Sequence, residues 1–404
     1  MKRVMRILEG MSLLFVVTTI FAALFWPSQI PFIFDDLLLP FGLLHLAVVF
    51  FQDKRWRWLI LLFGAMAFWV LVSDFIANNS FRTGHLGIVL RWVKWPIIIV
   101  SLANVQHWSI RKEHVVNFVI LLLFGLAIIN LILLLNPFQI GESLHMLYST
   151  KLEVLLGNYH EFGGFRLSGT MRNPNNNGVI FALFLLFFLS LDQKKYWAYC
   201  LLAFIFIFLT QSRTVLILAI ALVGLNMIMN NSRKTNMIMI PAGLIGLVAM
   251  LFAFRSTNLM SILSGEAFKS NSWTDRIAHY QIFFDSTSSE KVLGHGVVLD
   301  PLAVAGIHFD SEYLSILFQF GIIGMVLLAI LTLYLPYLIK KNTGASLFGW
   351  ILVLFIAGVG VTNFVFLNVE VITLLSLIIG AWVFLQRPYK LDDNSNNQSE
   401  QQHI

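Results

Sequence analysis

The sequence predicts an all-α, polytopic membrane protein, and three observations point to this fold class. Hydrophobic residues make up 58% of the 404 residues and charged residues 12%, and the mean hydropathy of +0.80 is far above that of a soluble domain. Apolar segments recur along the whole chain without a long polar linker. Small groups of cations alternate with these segments, which indicates membrane topology and not nucleic-acid binding. We therefore expect a single integral membrane domain over residues 1–390.

A membrane-spanning helix needs about twenty apolar residues at a rise of about 1.5 Å per residue. On this rule the chain has about twelve spans. The predicted spans are 9–26, 33–51, 58–76, 86–103, 115–135, 176–191, 196–210, 213–230, 237–254, 313–338, 346–365 and 370–386. Two long connections are left, at about 136–175 and 255–312. The tail 391–404 is polar and rich in Asn and Gln, so we expect it to be disordered.

The basic residues predict which side of the membrane each connection faces. They occupy short, alternate connections at Lys2/Arg3/Arg6, Lys54/Arg55/Arg57, Arg111/Lys112, Lys194/Lys195, Arg233/Lys234, Lys340/Lys341 and Arg387/Lys390. Short connections that are rich in Lys and Arg stay in the cytoplasm. We therefore expect both termini and the tail to be cytoplasmic, and the two long loops to lie on the opposite face together with the functional site.

Two arginines at the predicted outer ends of spans are candidates for anion binding. Arg213 closes the sequence TQSR between two apolar segments, where its guanidinium either binds phosphate or simply ends a helix at the membrane boundary. Arg172 opens RNPNNNG, in which Pro174 and the asparagines fit the first turn of a helix. A cation beside a positive helix end forms an anion site. The alternative for Arg172 is a solvated side chain next to an ordinary helix cap.

Charged residues inside the predicted spans need a reason, because an unpaired charge there costs several kcal/mol. Arg91 and Lys94 lie three residues apart and share one helical face. Asp74, near the outer end of the third span, is a candidate to neutralise one of them. The alternative is that the two cations form an anion-binding wall inside the bundle.

A third group of candidates precedes and opens the tenth span. Arg276 and His279 lie within the long second loop, and His308, Asp310 and Glu312 stand where the apolar helix begins. Carboxylates at this boundary suit acid–base chemistry, although acids at a helix start are also common caps. Phosphate-loop, dinucleotide and paired zinc motifs are absent from the sequence. This absence argues against an ATP-driven enzyme and indicates no metal and no nucleotide cofactor.

Taken in order, these patterns resemble the bacterial O-antigen ligase and O-antigen polymerase superfamily (WaaL and Wzy). RNPNNNG and TQSR are similar to the family's entry to a span and its arginine hairpin. TDRIAHYQ at Thr274–Gln281 and VLGHG at Val292–Gly296 resemble its arginine-bearing loop helix and the glycine turn that follows. DSEYLSILFQFGIIG at Asp310–Gly324 resembles its closing motif.

The resemblance implies a glycosyltransferase of GT-C-like architecture in the bacterial inner membrane, with its active site in the periplasm. The implied substrate is an oligosaccharide linked to undecaprenyl pyrophosphate, in a lipid membrane, and a chain-length regulator is the implied protein partner. The implied base is Asp310, with His308 and Glu312 as reserves. The residues expected to bind pyrophosphate are Arg213, Arg276, Arg172 and Arg91, and those expected to bind glycan or form a lid are Tyr313 and His279.

These sequence patterns are compatible with three functions. A polymerase transfers the growing glycan to the non-reducing-end hydroxyl of a lipid-linked repeat unit, whereas a ligase transfers it to lipid A core or to protein. Ligases that move glycan onto lipid A core typically have His-Asn at the head of the closing motif, where Asp310 and Ser311 stand here, and this favours the polymerase. A transporter or flippase for a lipid-linked sugar would place its key charges near the membrane midplane.

Overall fold

The computed structural model describes residues 2–26, 34–78, 83–135, 137, 140, 167, 169–171, 173–191, 194–229, 281, 283–297 and 311–387. Within these ranges the regular secondary structure is helical and contains no strand. The α-helices are α1 (Lys2–Phe25), α2 (Phe34–Gln52), α3 (Arg57–Asn78), α4 (Thr83–Ala103), α5 (Lys112–Leu135), α6 (Pro174–Ser190), α7 (Trp197–Thr210), α8 (Arg213–Met229), α9 (Ser288–Leu293), α10 (Glu312–Thr343), α11 (Leu347–Gly360) and α12 (Val369–Gln386).

A helix occupies every predicted span except 237–254, which lies outside the described residues. In the part of the chain that the structure describes, 7 helices are long and apolar enough to cross a membrane. The structure therefore supports a polytopic membrane protein, while the number of about twelve spans stays a prediction. Most of the two predicted long loops and all of the tail 391–404 lie outside the described residues.

Several of the observed helices differ from the predicted spans. Helix α1 begins at Lys2 and not at residue 9. Helix α7 begins only at Trp197, because the basic residues before it form a 3-10 turn at Lys194–Tyr196. Helix α11 stops at Gly360, short of the predicted end of its span. Helix α10 is longer than predicted, and it ends where Gly344 takes the left-handed conformation with φ 79 and donates its backbone N–H to Lys340.

Helix α12 is the centre of the bundle. Its apolar sequence has no polar face, and 78% of its 18 residues are buried inside the protein. It packs against α1, α4, α5, α6 and α10. A helix that is apolar all round is expected in such a central position, because every face has to be covered. The first residues of α12 thereby come close to the first residues of α10 and α4.

The basic connections meet at one end of the bundle, here called the basic end. Lys112 donates from Nζ to the carbonyl oxygen of Arg387 at 3.1 Å, and Arg387 donates to Asn104 at 3.3 Å. Trp108 donates from Nε1 to the Arg6 carbonyl oxygen at 2.9 Å. The amino-terminal residues, the 104–112 connection and the residue after α12 therefore lie together. The opposite end, where α2, α4, α6, α8, α10 and α12 begin, is here called the site end.

Ionisable groups at the basic end are partly removed from water. Burial lowers the pKa of Arg387 to about 10, and the charge of Arg55 acts in the same direction. Burial by itself would raise the pKa of Asp53, but hydrogen bonds from the side chain and backbone of Arg55 outweigh it, so the pKa of Asp53 lies below its ordinary value. The Asp53–Arg55 pair thus stabilises the turn between α2 and α3 in its ionised form.

Candidate functional site

The main feature of the site end is a break in α10. Gly321 has φ 65 and ψ −169 inside this helix, a combination that almost only glycine adopts. The break interrupts the regular pattern of backbone hydrogen bonds, so the carbonyl groups of residues 318–320 need donors from elsewhere. Irregular backbone of this kind is tolerated at membrane depth only where protein or water satisfies it.

Some of the donors to these carbonyl groups come from the segment after α9. The backbone N–H of His295 donates to the Phe318 carbonyl oxygen at 2.9 Å, and that of Gly296 donates to the Gln319 carbonyl oxygen at 3.0 Å. The His295 ring also stacks on the Phe318 ring, with the two centroids 4.3 Å apart. The segment is thus joined to the broken part of α10 by backbone hydrogen bonds and by ring packing.

Two glycines allow these backbones to approach so closely. A Cβ atom on Gly294 would lie 2.2 Å from the Gln319 carbonyl oxygen, and one on Gly321 would lie 2.2 Å from the Val292 carbonyl oxygen. Both glycines also have positive φ angles, which side-chain-bearing residues rarely adopt. The VLGHG and FGIIG patterns, far apart in sequence, are therefore interlocked in the structure.

Helix α3 supplies the remaining donors to the break. Trp69 donates from Nε1 to the Phe320 carbonyl oxygen at 2.8 Å. The Ser73 hydroxyl lies 2.7 Å from the Leu293 carbonyl oxygen and 3.0 Å from that of Gln319, and it donates to either one. Each of the carbonyl groups from 318 to 320 thus has a donor from outside the helix, which explains how the break is stable in an apolar bundle.

The predicted pairing of Asp74 with Arg91 or Lys94 is wrong. The Asp74 carboxylate instead lies 2.7 Å from Nδ1 of His85 and accepts from the Val297 backbone N–H at 3.2 Å. His85 and Lys94 are nine residues apart on α4, which is about two and a half turns and places them on opposite faces. Asp74 can therefore reach His85 but not Lys94, and it fixes the end of the 294–297 segment.

Lys94 finds its counter-charges on α2. Its Nζ atom lies 2.7 Å from Oδ2 of Asp35 and 2.5 Å from Oδ1 of Asp36. A cation inside the bundle is thus paired, as the cost of an isolated charge requires. Arg91, three residues before Lys94 on α4, is exposed. It lies within electrostatic reach of Glu370 at the start of α12.

The head of α10 is fixed to the connection between α11 and α12. Oε1 of Glu312 accepts from the backbone N–H groups of Val365, Phe366 and Leu367, with donor–acceptor distances of 3.1, 2.5 and 2.8 Å. The Glu312 side chain is fully buried, and its Oε2 atom has no hydrogen-bond partner among the described residues. This geometry gives Glu312 a positioning role, and its use as a reserve base stays a prediction.

The residues on either side of Glu312 in the sequence, Ser311 and Tyr313, also form hydrogen bonds that hold the head of α10. The Ser311 hydroxyl donates to the Gly360 carbonyl oxygen at 3.2 Å, and the Tyr313 hydroxyl donates to the Ala357 carbonyl oxygen at 2.8 Å. Tyr313, predicted to contact glycan or form a lid, therefore has its hydroxyl group bonded to the end of α11. Three consecutive side chains thus hold the start of α10, directly after Asp310 in the sequence.

The start of α6 and the TQSR turn lie against each other. Pro174 is the first residue of α6, and the Asn173 side chain accepts from the Asn175 backbone N–H at 2.8 Å, which confirms the predicted cap. A Cβ atom on Gly178 would lie 2.9 Å from Oγ1 of Thr210, so glycine is needed for this contact. The RNPNNNG and TQSR motifs, which the resemblance linked only by their order, are neighbours in space.

Arg213 is the first residue of α8 and its side chain is exposed. The turn before it is held by Thr210, whose hydroxyl donates to the Ile207 carbonyl oxygen at 2.7 Å, and by Gln211, which has a left-handed φ of 51. The amino-terminal ends of α6 and α8 therefore lie together beside an exposed guanidinium. Helix amino-termini carry partial positive charge, so this arrangement suits an anion.

A buried amide network holds this region together. Asn177 donates from Nδ2 to Oδ1 of Asn130 at 2.7 Å and to the Leu167 carbonyl oxygen at 3.1 Å. Both asparagines are fully buried. Such a pair is costly to bury unless it is bonded, so it fixes α5 against the first turn of α6. The sequence suggested Asn177 only as a capping residue.

Several predicted site residues lie outside the described residues: His308, Asp310, Arg172, Arg276 and His279. Within the described ranges no group of three or more His, Cys, Asp or Glu side chains is arranged to hold a metal ion. The structure brings together the RNPNNNG and TQSR motifs, and it brings together VLGHG and FGIIG. Trp69, Ser73 and Asp35 were missed, although a polar residue inside an apolar span is itself a signal that it has a partner.

The fold and these features define a multi-pass helical membrane protein with a polar, broken-helix site at one end of its bundle. Residues 198–329 match the O-antigen ligase family model, a range that includes all but the first residue of α7, together with α8, α9, the interlocked glycine segments and the break in α10. The resemblance to the O-antigen ligase and polymerase superfamily is thereby confirmed, and a role in surface polysaccharide assembly is supported. A search of curated proteins found no match for the chain.

Proposed function

We propose that this protein is an O-antigen or surface polysaccharide polymerase. It transfers a growing glycan from undecaprenyl pyrophosphate to the non-reducing-end sugar hydroxyl of a second undecaprenyl-pyrophosphate-linked repeat unit. The observation that carries the proposal is the interlock at Gly321, because the family match and the geometry of the broken helix meet at the same residues. Broken helices in membrane proteins commonly mark a binding site.

The distribution of basic residues supports a periplasmic site. Lys112, Arg387 and Arg6 lie at the basic end, and short basic connections stay in the cytoplasm. The site end, with Arg213 and the head of α10, then faces the periplasm of a bacterial inner membrane. Lipid-linked donors reach such a site from within the membrane, so no nucleotide sugar is required.

The proposed chemistry is an exchange of one bond at the donor sugar. The bond between its anomeric carbon and the pyrophosphate oxygen breaks, a bond to the acceptor oxygen forms, and the acceptor proton passes to a base. Arg213, assisted by Arg276 and Arg172, stabilises the negative charge on the leaving pyrophosphate. Asp310 is the proposed base, with His308 in reserve.

The residues around the acceptor have supporting roles in this proposal. Glu312 holds the start of α10 by its three backbone contacts, two residues after the proposed base in the sequence. Tyr313 and His279 contact the glycan or close over it. A chain-length regulator is the proposed protein partner.

A ligase is the second candidate, and the name of the matching family favours it. The pair Asp310–Ser311 favours the polymerase, because ligases that move glycan onto lipid A core typically have His-Asn there. The two functions share a donor and differ in the acceptor, so the acceptor has to be identified by experiment.

A deletion strain of the source bacterium, scored for surface polysaccharide on a gel, tests the proposal. Loss of a polymerase leaves single repeat units on lipid A, and this is the expected result. Loss of a ligase removes all glycan from lipid A while lipid-linked polymer is retained, and loss of a flippase leaves precursor at the cytoplasmic face; either pattern contradicts the proposal.

Complementation with variants then tests the residues. We expect Arg213→Ala, Arg276→Ala and Asp310→Asn to be inserted normally and to stop chain elongation, and Arg213→Lys to restore only part of it, because lysine lacks the planar guanidinium fork. Wild-type chain lengths from the Asp310→Asn strain would show that Asp310 is not the base.

A further inference from the structure

A separate polar pocket lies at the site end between α1, α2, α4 and α12. It has a volume of about 270 Å³, and its lining includes Thr19, Asp35, Asp36, Arg91 and Lys94. Val369, the first residue of α12, also lines it, and the connection just before this residue carries the backbone N–H groups that hold Glu312. The pocket and the head of α10 therefore share one structural element.

The charges around this pocket do not favour an anion. Lys94 is held by both Asp35 and Asp36, so its positive charge is already compensated. Arg91 interacts electrostatically with Glu370. Three carboxylates thus surround two cations, and an anion placed here would meet net negative charge. This pocket differs in that respect from the exposed Arg213 at the start of α8.

The same side chains have unused hydrogen-bonding capacity. Among the described residues Arg91 interacts electrostatically with Glu370 and makes no hydrogen bond or ion pair, so these residues use none of its N–H donors. Only Oδ2 of Asp35 and Oδ1 of Asp36 are engaged with Lys94, which leaves acceptor oxygens. Thr19 is 6% exposed, and its hydroxyl oxygen is buried without a hydrogen-bond partner among the described residues.

We propose that this pocket is a sugar-binding subsite, in which an uncharged, hydroxylated sugar unit of the glycan substrate is held by Asp36, Arg91 and Thr19. Paired donors and acceptors with little net charge match the alternating donor and acceptor character of sugar hydroxyl groups. The inference rests on the proposed function for its substrate. It assigns Arg91 to the glycan and not, as the sequence suggested, to the pyrophosphate.

Thiol protection on the full-length purified protein tests the subsite. Gly87 lines the pocket, and a Cβ atom added there meets nothing within 4 Å, so Gly87→Cys places a thiol in the pocket without strain. Cys200 is the single cysteine of the chain and is replaced by alanine. The rate of alkylation by N-ethylmaleimide is then measured with and without ligand.

The first probe is the repeat-unit oligosaccharide of the source strain, freed of lipid and phosphate by mild acid, and the second is inorganic pyrophosphate. We expect the oligosaccharide at about ten times its dissociation constant to slow alkylation of Gly87→Cys by about tenfold. Pyrophosphate is expected to have no effect. Leu86→Cys is the matched control, because Leu86 is exposed on the same helix and is not part of the pocket lining.

Second substitutions identify the residues that bind. Asp36→Asn or Arg91→Gln, each added to Gly87→Cys, is expected to reduce the protection by the oligosaccharide at least threefold, because each removes charge-assisted hydrogen bonds. If either of these proteins does not elute as a single species in gel filtration, Thr19→Val replaces it. This substitution removes a hydroxyl group without changing a charge, and it is likewise expected to reduce the protection of Gly87→Cys by the oligosaccharide.

Protection by pyrophosphate, equal slowing of Leu86→Cys, or no protection by the oligosaccharide at millimolar concentration would each overturn the subsite. These results are independent of the deletion strain. If the deletion strain carries single-repeat caps and the oligosaccharide does not protect Gly87→Cys, the polymerase assignment stands and the subsite is wrong. If the oligosaccharide protects the thiol and the deletion strain shows the ligase pattern, the subsite stands and the polymerase assignment is wrong.

Discussion

The substitution Gly321→Ala tests whether the break in α10 holds the site together. Gly321 has φ 65 and ψ −169, and its added Cβ atom would lie 2.2 Å from the Val292 carbonyl oxygen. Alanine can be accommodated only if α10 straightens or the segment after α9 moves away. Either movement separates the donors at His295 and Gly296 from their acceptors on α10.

The magnitude follows from two contributions. A side chain in this region of backbone conformation costs about 1–3 kcal/mol. Losing two backbone hydrogen bonds at buried carbonyl groups costs about 1–3 kcal/mol for each group that is left without a partner. We therefore expect Gly321→Ala to lower the free energy of unfolding by about 3–9 kcal/mol and to stop chain elongation in the complemented deletion strain.

Thermal unfolding of the purified protein in detergent, followed by gel filtration, measures the change. Gly64→Ala is the matched control, because Gly64 lies in the interior of α3 and a Cβ atom there meets nothing within 4 Å. An alanine in an open helical position is expected to stabilise by about 0.5–1 kcal/mol and to leave elongation unchanged. A Gly321→Ala protein with the melting temperature and elongation of the wild type would refute the reasoning.

Two further predictions concern the positioning carboxylate and the basic end. Glu312→Ala should destabilise the protein by roughly 3 kcal/mol or more, since three buried N–H groups lose their acceptor. Glu312→Gln keeps an acceptor oxygen and should retain both stability and elongation. A stable but inactive Glu312→Gln protein would instead indicate a catalytic role. Asp53→Asn should lower the melting temperature slightly at pH 7. The folded-state pKa of Asp53 lies below 3.8, so the stability that its ionised side chain contributes is present above pH 3.8 and disappears as the pH falls through the lowered pKa. A difference in melting temperature between Asp53→Asn and the wild type that stays the same at pH 3 would contradict this.

The elements that depend on local sequence were predicted well. The asparagine cap and Pro174 at the start of α6 follow from the chemistry of the first helical turn. The start of α8 at Arg213 follows from a polar turn between two apolar segments. In both cases the residues that decide the outcome are within a few positions of each other in the sequence.

Pairings across the bundle were not predictable in the same way. Asp74 was expected to neutralise a cation on α4, and it contacts His85 instead, while Lys94 pairs with Asp35 and Asp36. Helical periodicity gives the face on which each side chain lies relative to its own helix. It does not give the rotation of one helix against another, which packing in the bundle decides.

The sequence by itself determined the membrane class, the approximate positions of the helices and the motifs that resemble the O-antigen ligase and polymerase superfamily, because apolar length, cation spacing and local caps are properties of short segments. Only the tertiary structure decided that the VLGHG and FGIIG segments interlock at Gly321, that Glu312 is a buried acceptor for three backbone N–H groups, and that Arg91 lies among carboxylates. Each of these depends on groups remote in sequence being brought within hydrogen-bonding or electrostatic reach, and the packing of helices around α12 determines those distances.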